Sequence, residues 1–467
     1  VQRIHCVGIG GIGISAIARV LLEQGNHITG SDLRLSPVAQ ALAESGATVF
    51  CGHDAAHVGN ADAVLVSSAI PENNPEVMEA RRRGIPVFKR AEYLGQLMAG
   101  KTGIAIAGTH GKTTTTSMVA WILTEAGLDP TFIVGGVIQL LGTNARAGKG
   151  PHFVIEADEY DHMFLGLKPN VAAVTHLEHD HLDCFPTFAD MRAAFEQFLD
   201  LVPADGLIIG CGDQPAVSAL LQRGYVAPVQ TCGLGQENDW YALEMRPNPQ
   251  GGQSFKVSRK GKEWGCVHLQ IPGIHNVQNA LSAIAIADWL DVNPQVTRRS
   301  LAAFTGVGRR FELRGEIDGI AVIDDYGHHP TEIEATLAGA KARYGVRPLW
   351  AVFQPHTYSR IKALWRAFLS CFKQADHVIV LDIYAAREKD TLGVSAADLA
   401  TEIVHPDVHY IADFDDAAGY ILAHAEPNAV IITFSAGDGN QVGEKVLAQI
   451  GQMGKPGKQT GEENLPR

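Results

Sequence analysis

Gly103-Ile-Ala-Ile-Ala-Gly-Thr-His-Gly-Lys-Thr-Thr-Thr-Thr116 is the stretch on which the fold turns. It opens as an apolar strand, passes through a Gly/Thr turn, and leads into an amphipathic helix expected from about Lys112 to Ala126. Strand, glycine loop and helix in that order form an anion cradle. Gly108 and Gly111 let backbone amides gather round phosphate, Lys112 brings a point charge for the β and γ oxygens, and Thr113 offers a hydroxyl to Mg2+. The loop departs from GxxxxGK[ST], because Ile106 stands where the first glycine falls. A purely structural Gly/Thr turn would not require strand, loop, Lys-Thr pair and helix in this sequence.

Upstream, Gly8-Ile-Gly-Gly-Ile-Gly13 also joins a strand to a helix, and Asp32 lies near the end of the next strand, where a ribose-binding acid is expected. A tight strand-to-helix turn can want glycine for packing alone, and the pattern does not separate a dinucleotide from a UDP-sugar. Downstream, Glu156-Ala-Asp-Glu-Tyr-Asp161 and Thr175-His-Leu-Glu-His-Asp-His-Leu-Asp183 each follow an apolar strand. Both clusters should therefore reach the carboxyl edge of the sheet that carries the phosphate loop, where oxygen ligands supplemented by histidine suit Mg2+. His179-x-His181-x-Asp183 also fits a zinc hydrolase, though Cys184 replaces the next histidine, and a solvated acidic loop is the plain alternative. Further on, Asn276 opens a helix as a candidate N-cap, Gly308-Arg-Arg-Phe-Glu312 marks a boundary, and Asp324-Asp-Tyr-Gly-His-His-Pro330 and Gln354-Pro-His-Thr-Tyr-Ser-Arg360 follow strands, with Pro330 a candidate first helical residue.

The 467 residues carry 38 Lys and Arg against 51 Asp and Glu, a net −13 that opposes any broad hold on nucleic acid or anionic lipid. No apolar run approaches the roughly 20 residues that span a bilayer. The opening Val1-Gln-Arg-Ile-His-Cys6 lacks a signal-peptide layout, so neither nucleic acid nor membrane is expected as a partner, and a cytoplasmic setting is. Seven scattered cysteines without CxxC suggest buried thiols rather than disulfides. Strand-like runs at Arg3–Val7, Asn26–Gly30, Thr48–Phe50, Val64–Ser67 and Val87–Phe88 alternate with helical stretches, and the alternation restarts near residue 101 and again near 311. The expectation is a three-domain α/β chain: a Rossmann-like parallel sheet (1–100), a central P-loop ATPase-like domain (101–310), a C-terminal Rossmann-like domain (311–452) and a disordered tail (453–467). A hairpin is expected around Tyr241 to Val257.

Taken in order, these motifs, with the Gly30-Ser-Asp32, Ser67-Ser-Ala-Ile70 and Tyr384-Ala-Ala-Arg-Glu388 segments, resemble the Mur ligases of peptidoglycan synthesis from about residue 2 to 448. The resemblance implies ATP-dependent amide formation at the lactyl carboxylate of UDP-N-acetylmuramate. ATP and L-alanine would be the other substrates and Mg2+ the metal, with Mn2+ able to substitute. A recycled murein tripeptide in place of alanine is the alternative. It further implies a UDP-sugar site of Gly8, Gly10, Gly11, Gly13, Asp32, Ser67 and Ser68, and an ATP site of Gly108, Thr109, His110, Gly111, Lys112, Thr113, Thr114, Asn276, Arg310, Tyr326 and His329. Thr113, Glu159 and His181 would meet the metal, Lys112, Glu159 and His181 would be catalytic, and His356 and Arg360 would hold the alanine carboxylate. Two departures stand out: His176 where the family usually has asparagine, and Thr357 where some members have arginine.

Overall fold

The computed structural model describes residues 1–386, 388–389 and 392–453. The expected tail lies outside the described residues except for Met453, the end of a helix, and so does Arg387 of the Tyr384–Glu388 motif. Val1–Gly308 forms one compact unit, and the chain from Arg309 forms another.

The first unit holds two sheets. The N-terminal sheet runs Thr48–Cys51, His27–Asp32, Arg3–Val7, Ala63–Val66, Val87–Lys89, all parallel. Its central strands are buried on both sides of the pleat, from Ile4 to Val7 and from Ala63 to Val66. The order reverses direction between Arg3–Val7 and Ala63–Val66, the point at which an open α/β sheet leaves a crevice at its carboxyl ends. The glycine loop and Ser67 follow those two strands, and the Ser67 amide donates to the Val7 carbonyl at 3.1 Å.

The ten-stranded central sheet is parallel through its middle: Val229–Gly233, Leu207–Cys211, Val171–Val174, Thr102–Ala107, His152–Glu156, Thr131–Ile138. Thr102–Ala107 lies between Val171–Val174 and His152–Glu156, so the phosphate loop and both acidic clusters leave three adjacent strand ends. The expected hairpin is a three-stranded meander, Trp240–Pro247, Gln253–Arg259 and Lys262–His268, whose last strand is polar and half exposed and so gave little apolar signal. The Thr131–Ile138 strand was also unexpected. Its Gly135 and Gly136 look like a turn, yet they are there because a Cβ would meet Glu156 Oε2 at 2.7 Å and Val307 Cγ1 at 2.7 Å.

In the second unit the sheet order is Glu312–Ile317, Ile320–Asp325, Val430–Phe434, Leu349–Phe353, His377–Val380, Val408–Tyr410, with only the first strand antiparallel. The Asp324–Pro330 and Gln354–Arg360 segments thus leave strands on either side of Val430–Phe434, whose own exit, Ser435–Gly439, lies between them. All seven cysteines are unpaired; Cys6, Cys211, Cys232 and Cys371 are buried, while Cys51 and Cys266 are exposed. Among the described residues no helix is long and apolar enough to cross a membrane.

Candidate functional site

The phosphate loop is built by glycine and strapped by its neighbours. Gly108 has φ +132°, and a Cβ there would run into Thr175 Oγ1 and lie 2.9 Å from the His176 backbone. Gly111 has φ +81° and caps the helix Lys112–Glu125; a Cβ there would stand 2.5 Å from Asn279 Oδ1. The Thr109 amide donates to the His176 carbonyl at 2.9 Å, Thr109 Oγ1 is 3.1 Å from His176 Nδ1, and His110 bonds Glu178. The histidine found where the family usually has asparagine therefore helps hold the loop. Thr114 is buried in the first turn of the helix.

Lys112 folds back into this loop, bonding the Gly108 carbonyl and pairing with Glu159 Oε1 at 2.9 Å. Burial pushes the lysine's pKa down, but Glu159, Glu156 and Asp158 outweigh it and the net shift is upward. Burial likewise opposes ionisation of Glu159, yet Lys112 and His181 hold its carboxyl below the usual range. His181 Nε2 lies 3.7 Å from Glu159 Oε1; burial lowers the imidazole's pKa, but Glu159 and Asp180 raise it overall. The pair is ionised, with a histidine poised to share it.

Glu159 is 1% exposed, and its Oε2 is buried without a hydrogen-bond partner among the described residues. An ionised carboxylate oxygen left so is costly unless a cation or donor meets it. Thr113 Oγ1 donates to Glu156 Oε1 at 3.0 Å, leaving hydroxyl lone pairs for a ligand, and the Gly135 amide donates to Glu156 Oε2 at 2.7 Å. Hydroxyl, carboxylates and one imidazole form a hard donor set that fits Mg2+. Glu156 joins this set beyond the expected residues, and its place at the last position of an apolar strand is the sequence signal for it. Asn276 is not the N-cap: Gly273, at φ +96°, caps the helix Ile274–Trp289, and Asn276 lies in its first turn, donating to the Pro272 carbonyl at 2.6 Å and accepting from Asn279 at 3.1 Å.

In the N-terminal sheet, Gly8 has φ +82° and Gly11 caps the helix Ile12–Glu23. The Gly10 amide donates to Asp32 Oδ2 at 2.9 Å, so Asp32 braces the loop. A Cβ on Gly13 would strike the Arg90 guanidinium, which pairs with Asp158 at 2.7 Å and so ties the first loop to the acidic cluster. Arg90 was not anticipated. Ser67 Oγ accepts from the Ala69 amide at 3.4 Å, and Ser68 follows it in the same turn.

In the second unit, the Tyr326 ring carries Arg309 at 5.3 Å and Arg310 at 5.0 Å, and Arg310 lies 3.7 Å from Glu332. His329 caps the helix Pro330–Tyr344, whose first residue is proline as expected. Arg360 is buried, with Nη1 2.9 Å from His356 Nδ1; the His356 ring meets His328 at 5.4 Å and stacks with Tyr384 at 5.8 Å. His328 and Tyr384 are additions to the expected set. Thr357 adopts φ +63°, unusual for a β-branched residue, and gives the following helix no side-chain cap. Glu388 supplies one from elsewhere, accepting from the Ser359 amide at 3.0 Å and from its hydroxyl.

Family models match almost the whole chain: "Mur ligase family, catalytic domain" over residues 3–102, "Mur ligase middle domain" over 106–287, and "Mur ligase, glutamate ligase domain" over 309–437. The chain is 46% identical over 453 residues to the UDP-N-acetylmuramate–L-alanine ligase of Geobacter sp. (strain M21), covering 96% of this chain and 98% of that one. It is 46% identical over 458 residues to the ligase of the same name from Solibacter usitatus (strain Ellin6076), covering 97% and 96%. Among solved structures, UDP-N-acetylmuramate-alanine ligase MurC of Thermotoga maritima superposes with TM-score 0.82 at 28% identity, covering 97% of this chain and 100% of that one. A murein peptide ligase, mpl, of Psychrobacter arcticus 273-4 gives TM-score 0.72 at 29% identity, covering 97% and 99%. The chain belongs to the Mur ligase family and is an ATP-dependent ligase.

One buried acid makes the second unit sensitive to pH. Burial pushes the Asp325 carboxyl up to about 6, against Arg310 and the Gly327 and Phe311 amides that donate to it. An unfolded aspartate titrates near ~3.9, so the folded chain retains the proton longer and stability falls as pH rises through that interval. Asp325→Asn removes this titration. In urea unfolding, the variant's stability relative to wild type should improve by up to about 3 kcal/mol between pH 4 and pH 7. Parallel pH profiles for the two proteins would contradict the assignment.

Proposed function

We propose that this ligase joins L-alanine to the lactyl carboxylate of UDP-N-acetylmuramate, converting ATP to ADP and phosphate. The carrying observation is the convergence of Lys112, Thr113, Glu156, Glu159 and His181 at three adjacent strand ends. Full-length similarity to ligases named for alanine favours that amino acid over a tripeptide. In this scheme residues 1–100 take the UDP-sugar, 101–310 the ATP phosphates and 311–452 the amino acid, in a cytoplasmic setting.

A carboxylate is a poor electrophile, and amide formation from it in water is uphill. Its oxygen attacks the γ-phosphorus of ATP, ADP leaves, and the acyl phosphate so formed is attacked by the amine of alanine; the tetrahedral adduct then expels phosphate. Lys112 leaves the Gly108 carbonyl and Glu159 to meet the β and γ oxygens. Thr113, Glu156, Glu159 and His181 would hold Mg2+, which when bound offsets the negative charge gathered between carboxylate and γ-phosphate. Gly108, Thr109, His110, Gly111 and Thr114 shape the cradle. We assign Arg310, Tyr326 and His329 to the nucleotide, with Asn276 bracing Asn279 behind the loop. His356 and Arg360 receive the alanine carboxylate, because a methyl group offers little to recognise and a guanidinium fork matches a carboxylate.

Incubation with ATP, Mg2+, UDP-N-acetylmuramate and alanine should give a product heavier by one alanyl residue, and Lys112→Ala should abolish ADP release while UDP-sugar binding persists. A product formed only with a tripeptide, or near wild-type turnover in the variant, would contradict the proposal. Arg360→Ala should raise the KM for alanine by at least about tenfold, with Arg360→Lys recovering only part because it keeps charge but not the fork. If Arg360→Ala instead binds alanine normally and loses ATP in calorimetry, the residue belongs to the nucleotide.

A further inference from the structure

The N-terminal sheet buries a charged cluster that the mechanism above does not use. Glu76, in the first turn of the helix Pro75–Arg82, is fully buried. Ser31 Oγ donates to its Oε2 at 2.6 Å, His53 Nδ1 lies 3.0 Å from the same oxygen, and His57 Nδ1 lies 3.0 Å from Oε1. His5 Nε2 stands further off, at 3.7 Å. Burial pushes the Glu76 carboxyl up, but the neighbouring His5, Ser31 and His57 side chains outweigh it and hold it at about 2.

This cluster touches the sugar-nucleotide loop directly. The Ser31 carbonyl accepts from the Gly8 amide at 2.9 Å and from the Ile9 amide at 3.0 Å, and its neighbour Asp32 accepts from Gly10. His53 follows Gly52, whose amide donates to the Asp32 carbonyl at 2.7 Å, so the histidine leaves the sheet beside Asp32. His53 Nδ1 also lies 3.0 Å from Ser31 Oγ, whose own proton goes to Glu76; both neighbours accept, so in the neutral ring the proton sits on Nδ1 and Nε2, on the far side, carries a lone pair. That nitrogen makes no hydrogen bond among the described residues, and the His53 side chain is 12% exposed.

We propose that Glu76 is a positioning residue of the sugar-nucleotide site, holding Ser31 and the glycine loop in place and fixing His53 in the tautomer whose Nε2 accepts a hydrogen bond from the nucleoside. This rests on the assignment of UDP-sugar to the first domain. Two groups of a uridine nucleotide can donate there: the uracil imide N–H and a ribose hydroxyl. All the groups facing Glu76 at bonding distance are donors, so glutamine cannot replace it silently. A carboxamide nitrogen facing His53 forces its proton to Nε2, which turns an acceptor toward the ligand into a donor.

The test uses the full-length protein, with calorimetry for UDP-N-acetylmuramate and for an ATP analogue. Glu76→Gln should weaken UDP-sugar binding about tenfold, with kcat at saturating sugar nucleotide unchanged. ATP-analogue affinity should hold. His53→Ala should weaken UDP-sugar binding similarly and keeps the test open if Glu76→Gln fails to fold; the double variant should lose less than the sum of the two single losses, because part of what Glu76 does passes through His53. Binding of 3-methyl-UDP and 2′-deoxy-UDP, compared with UDP, identifies the donor, since the penalty for the analogue lacking it should vanish in His53→Ala. Variants that bind as wild type, losses that add, or both analogue penalties surviving in His53→Ala would overturn the proposal. A wild-type protein that binds no UDP-sugar would instead overturn the domain assignment beneath it.

Discussion

The ion pair between Lys112 and Glu159 is the constraint around which the strand ends of the central sheet are arranged. A lysine and a carboxylate buried together hold their charges only while each has the other, since an unpaired charge in that environment costs several kcal/mol. Among the described residues the pair leaves one carboxylate oxygen unmet and one lysine held by a loop carbonyl. Both suit the phosphates and cation proposed for this site: the lysine has somewhere to go, and the carboxylate has a lone pair to give.

That pair exists because of strand order. Lys112 and Glu159 are separated by 47 positions in sequence and meet because Thr102–Ala107 and His152–Glu156 are neighbours in register, with Val171–Val174 on the other side bringing His181. Glycine makes the approach feasible at Gly108 and Gly111, where any side chain would collide with Thr175 or Asn279. The Arg90–Asp158 pair then reaches from this cluster to the first glycine loop, so the proposed sites for sugar nucleotide and phosphate share one electrostatic network.

The parts most legible in sequence were those in which local chemistry and local geometry agree. The strand, loop and helix around Lys112 could be read directly, as could Pro330 at a helix start and the strands Arg3–Val7 and Thr48–Cys51. What stayed hidden depends on distant partners. Thr131–Ile138 carries two glycines whose reasons are distant, Glu156 beside Gly135 and Val307 beside Gly136, and Asn276 looked like a cap until Gly273 took that place. Arg90, Glu76, His328 and Glu388 acquire meaning only through residues brought to them by the tertiary fold, and no spacing rule connects them beforehand.

The central claim is that the sugar carboxylate is activated by direct attack on ATP. Isotope transfer tests it most directly, with UDP-N-acetylmuramate labelled with oxygen-18 in its lactyl carboxylate and turned over with ATP, Mg2+ and alanine. The carboxylate oxygen that becomes the bridge of the acyl phosphate leaves with the phosphate, so mass spectrometry should find one labelled oxygen in each phosphate derived from labelled carboxylate at that position. Unlabelled phosphate alongside normal amide product would contradict the account.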